Sequence, residues 1–240
     1  MNNDLTLIEK INKNLIDQPE ILKQEYSVAY IFLNRLNDEE LINHWLRTSL
    51  LILEGGGRQW DAALQLFKST EDVFQLLEKD QFIQWLNSGL GFSVKSSNIA
   101  AVYFSSSLEF FTKFRGEFFD IWQQFGLDLF KGTLESVDLV TIYFQKSYKL
   151  FEVLSENEFK ALISTVIKIS NRSDDIAKDC LLKIFDILKL LPSGRKKFLD
   201  LVILLEVNNF RFLTALFSNS KTLLLNVNIH NRVQLIDIII

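Results

Sequence analysis

Gly55-Gly56-Gly57-Arg58 is the segment best equipped to hold an anion, because consecutive glycines can turn several backbone N–H groups toward a phosphate ahead of a helix N-terminus. A nucleotide-binding loop also needs a preceding strand and a closing Lys-Ser/Thr. Here a helical pattern from Trp45 to Leu53 comes first and Gln59-Trp60 follows. The glycines are expected to form an inter-helix turn with positive φ after the helix end. His44 and His230 lie 186 residues apart, and neither has a Cys or His at ligand spacing, so no metal site is expected. Cys180, between Ala177 and Leu181, has only Lys183 as a basic neighbour at helical spacing; it is expected to be a small core residue and not a nucleophile. Ser173-Asp174-Asp175 is similar in composition to Asp-rich metal loops but matches neither Asp-x-Ser-x-Ser nor an EF-hand, which leaves helix capping as its role. Arg195-Lys196-Lys197, just after Pro192-Ser193-Gly194, can meet an acidic partner, although a solvated turn is the plainer expectation. No catalytic residue and no cofactor is expected.

Composition narrows the class. The 240 residues are 48 % apolar, 12 % aromatic and 23 % charged, with nine glycines, two prolines and one cysteine, which excludes disordered, collagen-like and disulfide-scaffold chains. Twenty-six basic against thirty acidic side chains give a net charge of -4, a poor footprint for nucleic acid. A single cysteine suits a reducing cytoplasm. Met1-Asn2-Asn3-Asp4 lacks the basic opening of a secretory signal, and no uncharged apolar run reaches the roughly 18 residues of a membrane span. A cytoplasmic protein with no membrane and no nucleic-acid partner is expected.

The elements that would position any site recur along the chain. Trp45, Trp85 and Trp122 are 40 and 37 residues apart; Gly89 and Gly126 follow the second and third by four positions, where the first has Ser49. Phe67, Phe104, Phe144, Phe185 and Phe217 share that period, at intervals of 37, 40, 41 and 32. Three residues after four of them stand Thr70, Ser107, Ser147 and Ser220, each read as the N-cap of a short third helix with an apolar face. Start signals for the longer helices sit at Asn37-Asp38-Glu39-Glu40, Ser155-Glu156-Asn157-Glu158 and Ser173-Asp174-Asp175, with Asp61, Ser97-Asn98 and Ser136 in comparable places. Ala62-Ala63, Ala100-Ala101 and Ala177 give small side chains where helices can approach closely. Strand signals are weak, and Pro19 and Pro192 lie where helices should break.

A period of this length is the mark of stacked helical units that bury a shared core, so the chain is predicted to be all-α: a right-handed α-solenoid of about five three-helix repeats, armadillo- or HEAT-like. Residues 1–36 form an N-terminal cap. The repeats run over 37–77, 78–114, 115–154, 155–190 and 191–228, and residues 229–240 form an apolar tail expected to lead into a missing downstream domain. The inner curve of such an array is a recognition surface, and Tyr103 and Tyr143, each preceding a repeat Phe, are its candidate partner anchors beside Arg195, Lys196 and Lys197.

The recurring Trp-x-x-x-Gly, Ala-Ala-x-x-Phe and Phe-x-x-Ser units, over roughly residues 37–228, resemble the N-terminal helical region of bacterial proteins that carry a C-terminal von Willebrand factor A domain, of the nitric-oxide-reductase-activation and rubisco-activation type. In that family the short helix opens with Ser-Pro, and here Glu71, Leu108, Tyr148 or Lys221 follows the hydroxyl. The resemblance implies an adaptor for a MoxR-class AAA+ ATPase, with the metal-binding Asp-x-Ser-x-Ser site in a domain outside this sequence; no site residue carries over. The expected function is a non-enzymatic scaffold for another protein. A stand-alone peptide-binding or assembly solenoid is the alternative, and a nucleic-acid-processing helical-repeat enzyme comes third.

Overall fold

The computed structural model describes residues 2–55, 59–114, 116, 118–228, 231–232 and 234, with side chains from residue 6 onward. Among the described residues there are twelve α-helices and no strand. No helix among them is long and apolar enough to cross a membrane. The chain divides into two compact units, Met1–Gln123 and Gln124–Ile240.

The first unit holds α1 (Asn2–Leu15), α2 (Glu20–Arg35), α3 (Glu39–Glu54), α4 (Gln59–Phe74), α5 (Lys79–Lys95), α6 (Ser97–Phe114) and the first half of α7 (Phe119–Leu129). The helices pack two apart, α1 on α3 and α3 on α5 in one row, α2 on α4 and α4 on α6 in the other. Residues 1–36 are thus a helix pair that joins both rows. The second unit repeats this scheme with α8 (Leu134–Phe151), α9 (Glu156–Ser170), α10 (Asp174–Lys189), α11 (Arg195–Asn208) and α12 (Arg211–Leu225): α8, α10 and α12 form one row, α9 and α11 the other.

The helix boundaries follow from local chemistry. Asp38 caps α3 by accepting from the Leu41 N–H at 3.1 Å, with Asn37 before it in the left-handed region at φ 53°. Ser155 and Glu158 form a reciprocal capping box on α9, and Ser173 caps α10. Ser136 is not itself a cap: Thr133 is, and Ser136 closes the box from three residues on. Pro19 precedes α2 and Pro192 follows α10, as their missing N–H groups require.

Each period contains two helices, not three. Thr70, Ser107, Ser147 and Ser220 lie within α4, α6, α8 and α12, fully or almost fully buried, instead of opening a separate helix. Thr70, Ser107 and Ser220 return their hydroxyl protons to the carbonyls four residues back, Leu66, Tyr103 and Leu216, at 2.7, 2.6 and 2.5 Å. In the first unit the same hydroxyls accept from tryptophan: Trp45 Nε1 donates to Thr70 Oγ1 at 2.9 Å and Trp85 Nε1 to Ser107 Oγ at 2.8 Å. A buried indole N–H needs a partner, and a mid-helix hydroxyl already anchored to its own turn supplies one.

Of the spaced phenylalanines, Phe67, Phe104, Phe144 and Phe217 are buried, while Phe185 is only half-buried. Trp45, Trp85 and Trp122 are fully buried; Trp45 lies 5.5 Å from Phe67 and Trp85 lies 5.1 Å from Phe104. Gly89 is needed for this approach, since a Cβ there would stand 2.0 Å from Phe104 Cζ, and in the second unit Gly126 makes the same allowance for Phe144 at 2.2 Å. The period continues where tryptophan stops: Leu162 and Leu201, buried in α9 and α11, follow Phe159 and Phe198 by three residues just as Trp85 follows Phe82. In α10 the hydroxyl position is Leu188, fully buried, whereas α12 keeps Ser220 although Leu201 replaces the indole.

Candidate protein-docking surface

Along each even-numbered helix from α4 onward, four residues set around the repeat Phe form a stripe at four-three-four spacing, one side of an α-helix. In α4 these are Ala62, Leu66, Ser69 and Val73, all buried; Ser69 Oγ donates to the Phe104 carbonyl at 3.0 Å, which puts this face under α6. The corresponding Ile99, Tyr103, Ser106 and Phe110 of α6 are buried, as are Cys180, Ile184, Ile187 and Leu191 at the same places in and just after α10. In α8, Leu139, Tyr143 and Leu150 are buried and Lys146 is half-buried.

The stripe is open in α12. Phe212 is 58 % and Leu223 47 % exposed, Asn219 is exposed, and Leu216 forms a floor. Together with Leu205 of α11 they line an apolar groove of about 220 Å³. Leu204 and Val207 of α11 are also exposed, as is Leu225 on another side of α12. The buried equivalents in α4, α6 and α10 distinguish this face from scattered surface leucines.

Tyr103 and Tyr143 belong to that stripe and are fully buried, so neither is a surface anchor as expected from the sequence. Tyr103 stacks on Trp122 at 5.3 Å, and burial pushes both phenols well above their ordinary pKa. Leu216 of α12 is the copy of their position that borders open space. Arg195 is also structural: its Nε donates to the Leu188 carbonyl and its Nη1 to the Val153 carbonyl, both at 3.2 Å, closing the ends of α10 and α8. Arg232 does likewise for Leu190 and Val227, at 3.2 Å each. Lys196 and Lys197 are exposed.

Of the remaining polar candidates, Cys180 packs in the core and Asp174 opens α10. Gly55 ends α3 at φ −63°, so the positive φ expected of this segment does not fall on it, and Gly56, Gly57 and Arg58 lie outside the described residues. His44 is half-buried; His230 and the apolar tail from Leu235 lie outside the described residues. Cys180 is fully buried and its thiol pKa is driven far up by desolvation, with Asp179 adding to the shift. Asp174 pairs with Lys131 at 2.7 Å at the start of α10. Among the described residues no three metal-ligating side chains converge.

Ion pairs one period apart tie the rows. Lys79 of α5 reaches Asp38 and Glu40 at the start of α3, at 2.8 and 2.7 Å; Lys178 of α10 reaches Asp138 of α8 at 3.6 Å, and Lys221 of α12 reaches Asp186 of α10 at 2.5 Å. Such exposed pairs add little stability singly, but they fix which helix lies beside which. Comparison with family models, with curated proteins and with solved structures found no match to this chain.

Proposed function

We propose that this chain is a protein-interaction scaffold without catalytic activity, an armadillo- or HEAT-like α-solenoid built on a repeating helix pair, which works in the cytoplasm as the N-terminal recognition region of a von Willebrand factor A protein and adaptor for a MoxR-class AAA+ ATPase. The right-handed curvature of such arrays belongs to this proposal by analogy. The observation that carries the scaffold part is the apolar groove on α12, at a face whose residues are buried in α4, α6 and α10. Of the titratable groups with displaced pKa values, Tyr26, Tyr103, Tyr143 and Cys180 lie in the core, Asp38 and Glu158 take part in helix caps, and Lys79 pairs with Asp38 and Glu40. The adaptor part is supported by the recurring Trp-x-x-x-Gly and Phe-x-x-Ser units alone.

The groove also suits a stand-alone peptide-binding or assembly module, and one titration separates the readings. The purified chain is titrated with a purified MoxR-class ATPase, with and without ATP, by calorimetry, and with a random oligonucleotide at two salt concentrations. Saturable binding to the ATPase supports the adaptor. No binding in either nucleotide state removes the ATPase and leaves the stand-alone module. Tight, salt-dependent binding to the oligonucleotide overturns both.

A further inference from the structure

We infer that residues 232–240 of this chain seat on the α11 side of the α12 groove, as the next helix in the row of α9 and α11. Period and register place the segment. Phe82, Phe119, Phe159 and Phe198, buried near the starts of α5, α7, α9 and α11, are 37, 40 and 39 residues apart, and Leu235 follows Phe198 by 37. Three residues after these four stand Trp85, Trp122, Leu162 and Leu201, all buried, and three after Leu235 stands Ile238. Arg232-Val-Gln-Leu-Ile-Asp-Ile-Ile-Ile240 thus matches Arg195-Lys-Lys-Phe-Leu-Asp-Leu-Val-Ile203 in the place of its arginine, its aspartate and each apolar residue that follows Gln234. Asp237 falls where α11 has Asp200, which is exposed, so a helix in this register turns its charge to water and Leu235 and Ile238 inward.

The first turn is anchored as that of α11 is. Arg195 Nη1 donates to the Val153 carbonyl just past α8, and its Nε to the Leu188 carbonyl near the end of α10. One period on, Arg232 Nη1 donates to the Leu190 carbonyl just past α10, and its Nε to the Val227 carbonyl just past α12, both at 3.2 Å. The two arginines hold one place in successive periods, Arg232 and Gln234 are helical, and Gln234 is exposed like its copy Lys197.

The groove offers the seat. Tyr26 stacks on Trp45 at 5.6 Å and Tyr103 on Trp122 at 5.3 Å, so that twice an even-numbered helix meets the tryptophan of the helix after it. Leu216 is the copy of Tyr103 and Ile238 the copy of Trp122, which brings Ile238 over Leu216 and beside Leu205 of α11. Nine residues make about two and a half helical turns, enough to set Leu235 and Ile238 on one side. Ser69, the copy of Asn219, gives its hydrogen bond to α6, the next even-numbered helix. The Asn219 side of the groove is therefore left to the docking role proposed above.

The test uses the full chain, whose single native cysteine, Cys180, is buried with its thiol pKa raised, so that introduced thiols report alone. Leu216→Cys combined with Ile238→Cys should be joined within one chain by a short bismaleimide, read by mass spectrometry of the digested protein. In a second arm, the thiol of Leu216→Cys should alkylate about tenfold faster or more once Ile238→Asp is added, because the segment then leaves its seat. Asn219→Cys, at an exposed position, should react at one rate with and without Ile238→Asp, and Gln234→Asp should leave Leu216→Cys as protected as before. A cross-link between two chains overturns the inference and assigns the groove to a second copy. Unchanged alkylation of Leu216→Cys with Ile238→Asp, or no cross-link at all, overturns it and leaves this side of the groove to a partner protein. Should Ile238→Asp expose Cys180 as well, the chain has unfolded and the cross-link decides alone.

Discussion

Trp85 Nε1 donates to Ser107 Oγ at 2.8 Å, and Ser107 donates in turn to the Tyr103 carbonyl at 2.6 Å, so one hydroxyl joins α5 to α6 while staying tied to its own helix. Trp45 and Thr70 reproduce the relation between α3 and α4. Ser107→Ala should cost about 1–3 kcal/mol, because it leaves a buried indole N–H unpaired. Trp85→Phe removes the donor yet leaves Ser107 its Tyr103 bond. The double variant should therefore be less destabilised than the sum of the two by about 1 kcal/mol, the coupling expected of contacting residues. Urea unfolding of the four proteins measures this, and strict additivity would mean that the two groups do not act together. Trp85→Ala, which empties the site, should cost about 3–5 kcal/mol.

Gly89 and Gly91 lie two residues apart in α5 and should respond oppositely to alanine. A Cβ at Gly89 stands 2.0 Å from Phe104 Cζ, whereas a Cβ at Gly91 meets nothing within 4 Å. Gly91→Ala should stabilise by about 0.5–1 kcal/mol through helix propensity. Gly89→Ala should destabilise by about 1–3 kcal/mol, because the ring has to leave a packed core. Thermal midpoints moving in the same direction would contradict the close approach.

What the sequence allowed one to read is the set of places where one chemical demand has one solution. The ring of Phe104 comes so close to α5 that only a glycine fits one turn after Trp85, so Trp85 and Gly89 were legible together, whereas Ser49 holds that place beside Trp45 and Phe67. The third helix was misread because a Ser or Thr after an apolar stretch has the same appearance at an N-cap and at a mid-helix back-bond. Only the tryptophan 22 or 25 residues earlier decides, as at Ser107 and Thr70. Tyr103 and Tyr143 failed for another reason: a tyrosine suits core and surface alike, and its exposure depends on whether another helix covers that face. The open copy of their position is Leu216, whose residue type gives no sign of it. The continuation of the period at Leu162 and Leu201 was hidden because the tryptophan is replaced while its place is kept.

Arg195, Lys196 and Lys197 should separate on substitution although they are adjacent. Arg195→Met removes a charged donor from the Val153 carbonyl and from the Leu188 carbonyl, which keeps the Leu191 N–H at 3.1 Å, and should cost about 1–2 kcal/mol. Lys196→Ala and Lys197→Ala, at exposed positions, should stay within about 0.5 kcal/mol. Chemical denaturation of the three variants distinguishes them, and equal effects would show that Arg195 does not close those helix ends.

Acid should loosen the second unit through the cap of α9. Glu158 accepts from the Ser155 backbone N–H at 2.9 Å and from the Ser155 hydroxyl at 2.7 Å. These two bonds, with lesser help from Arg195 and Lys196, hold its carboxyl below the usual glutamate range. A group whose pKa is depressed by folding contributes stability that is complete above its unfolded value, about 4.3, and is lost as pH falls through the folded value. The thermal midpoint should therefore drop as pH is lowered from about 5 toward 2. Glu158→Gln retains an oxygen that can accept from the Ser155 N–H but has no proton to bind, so its midpoint should fall less steeply over that window. Asp38, held low first by its hydrogen bond from Lys79 and next by the Leu41 N–H, adds a limb of the same sign in the first unit. Asp38→Asn should flatten that limb too, and the two substitutions should combine additively because the caps share no partner. Identical acid slopes for the wild-type chain and Glu158→Gln would mean that the Glu158 carboxylate is not held by its cap in solution.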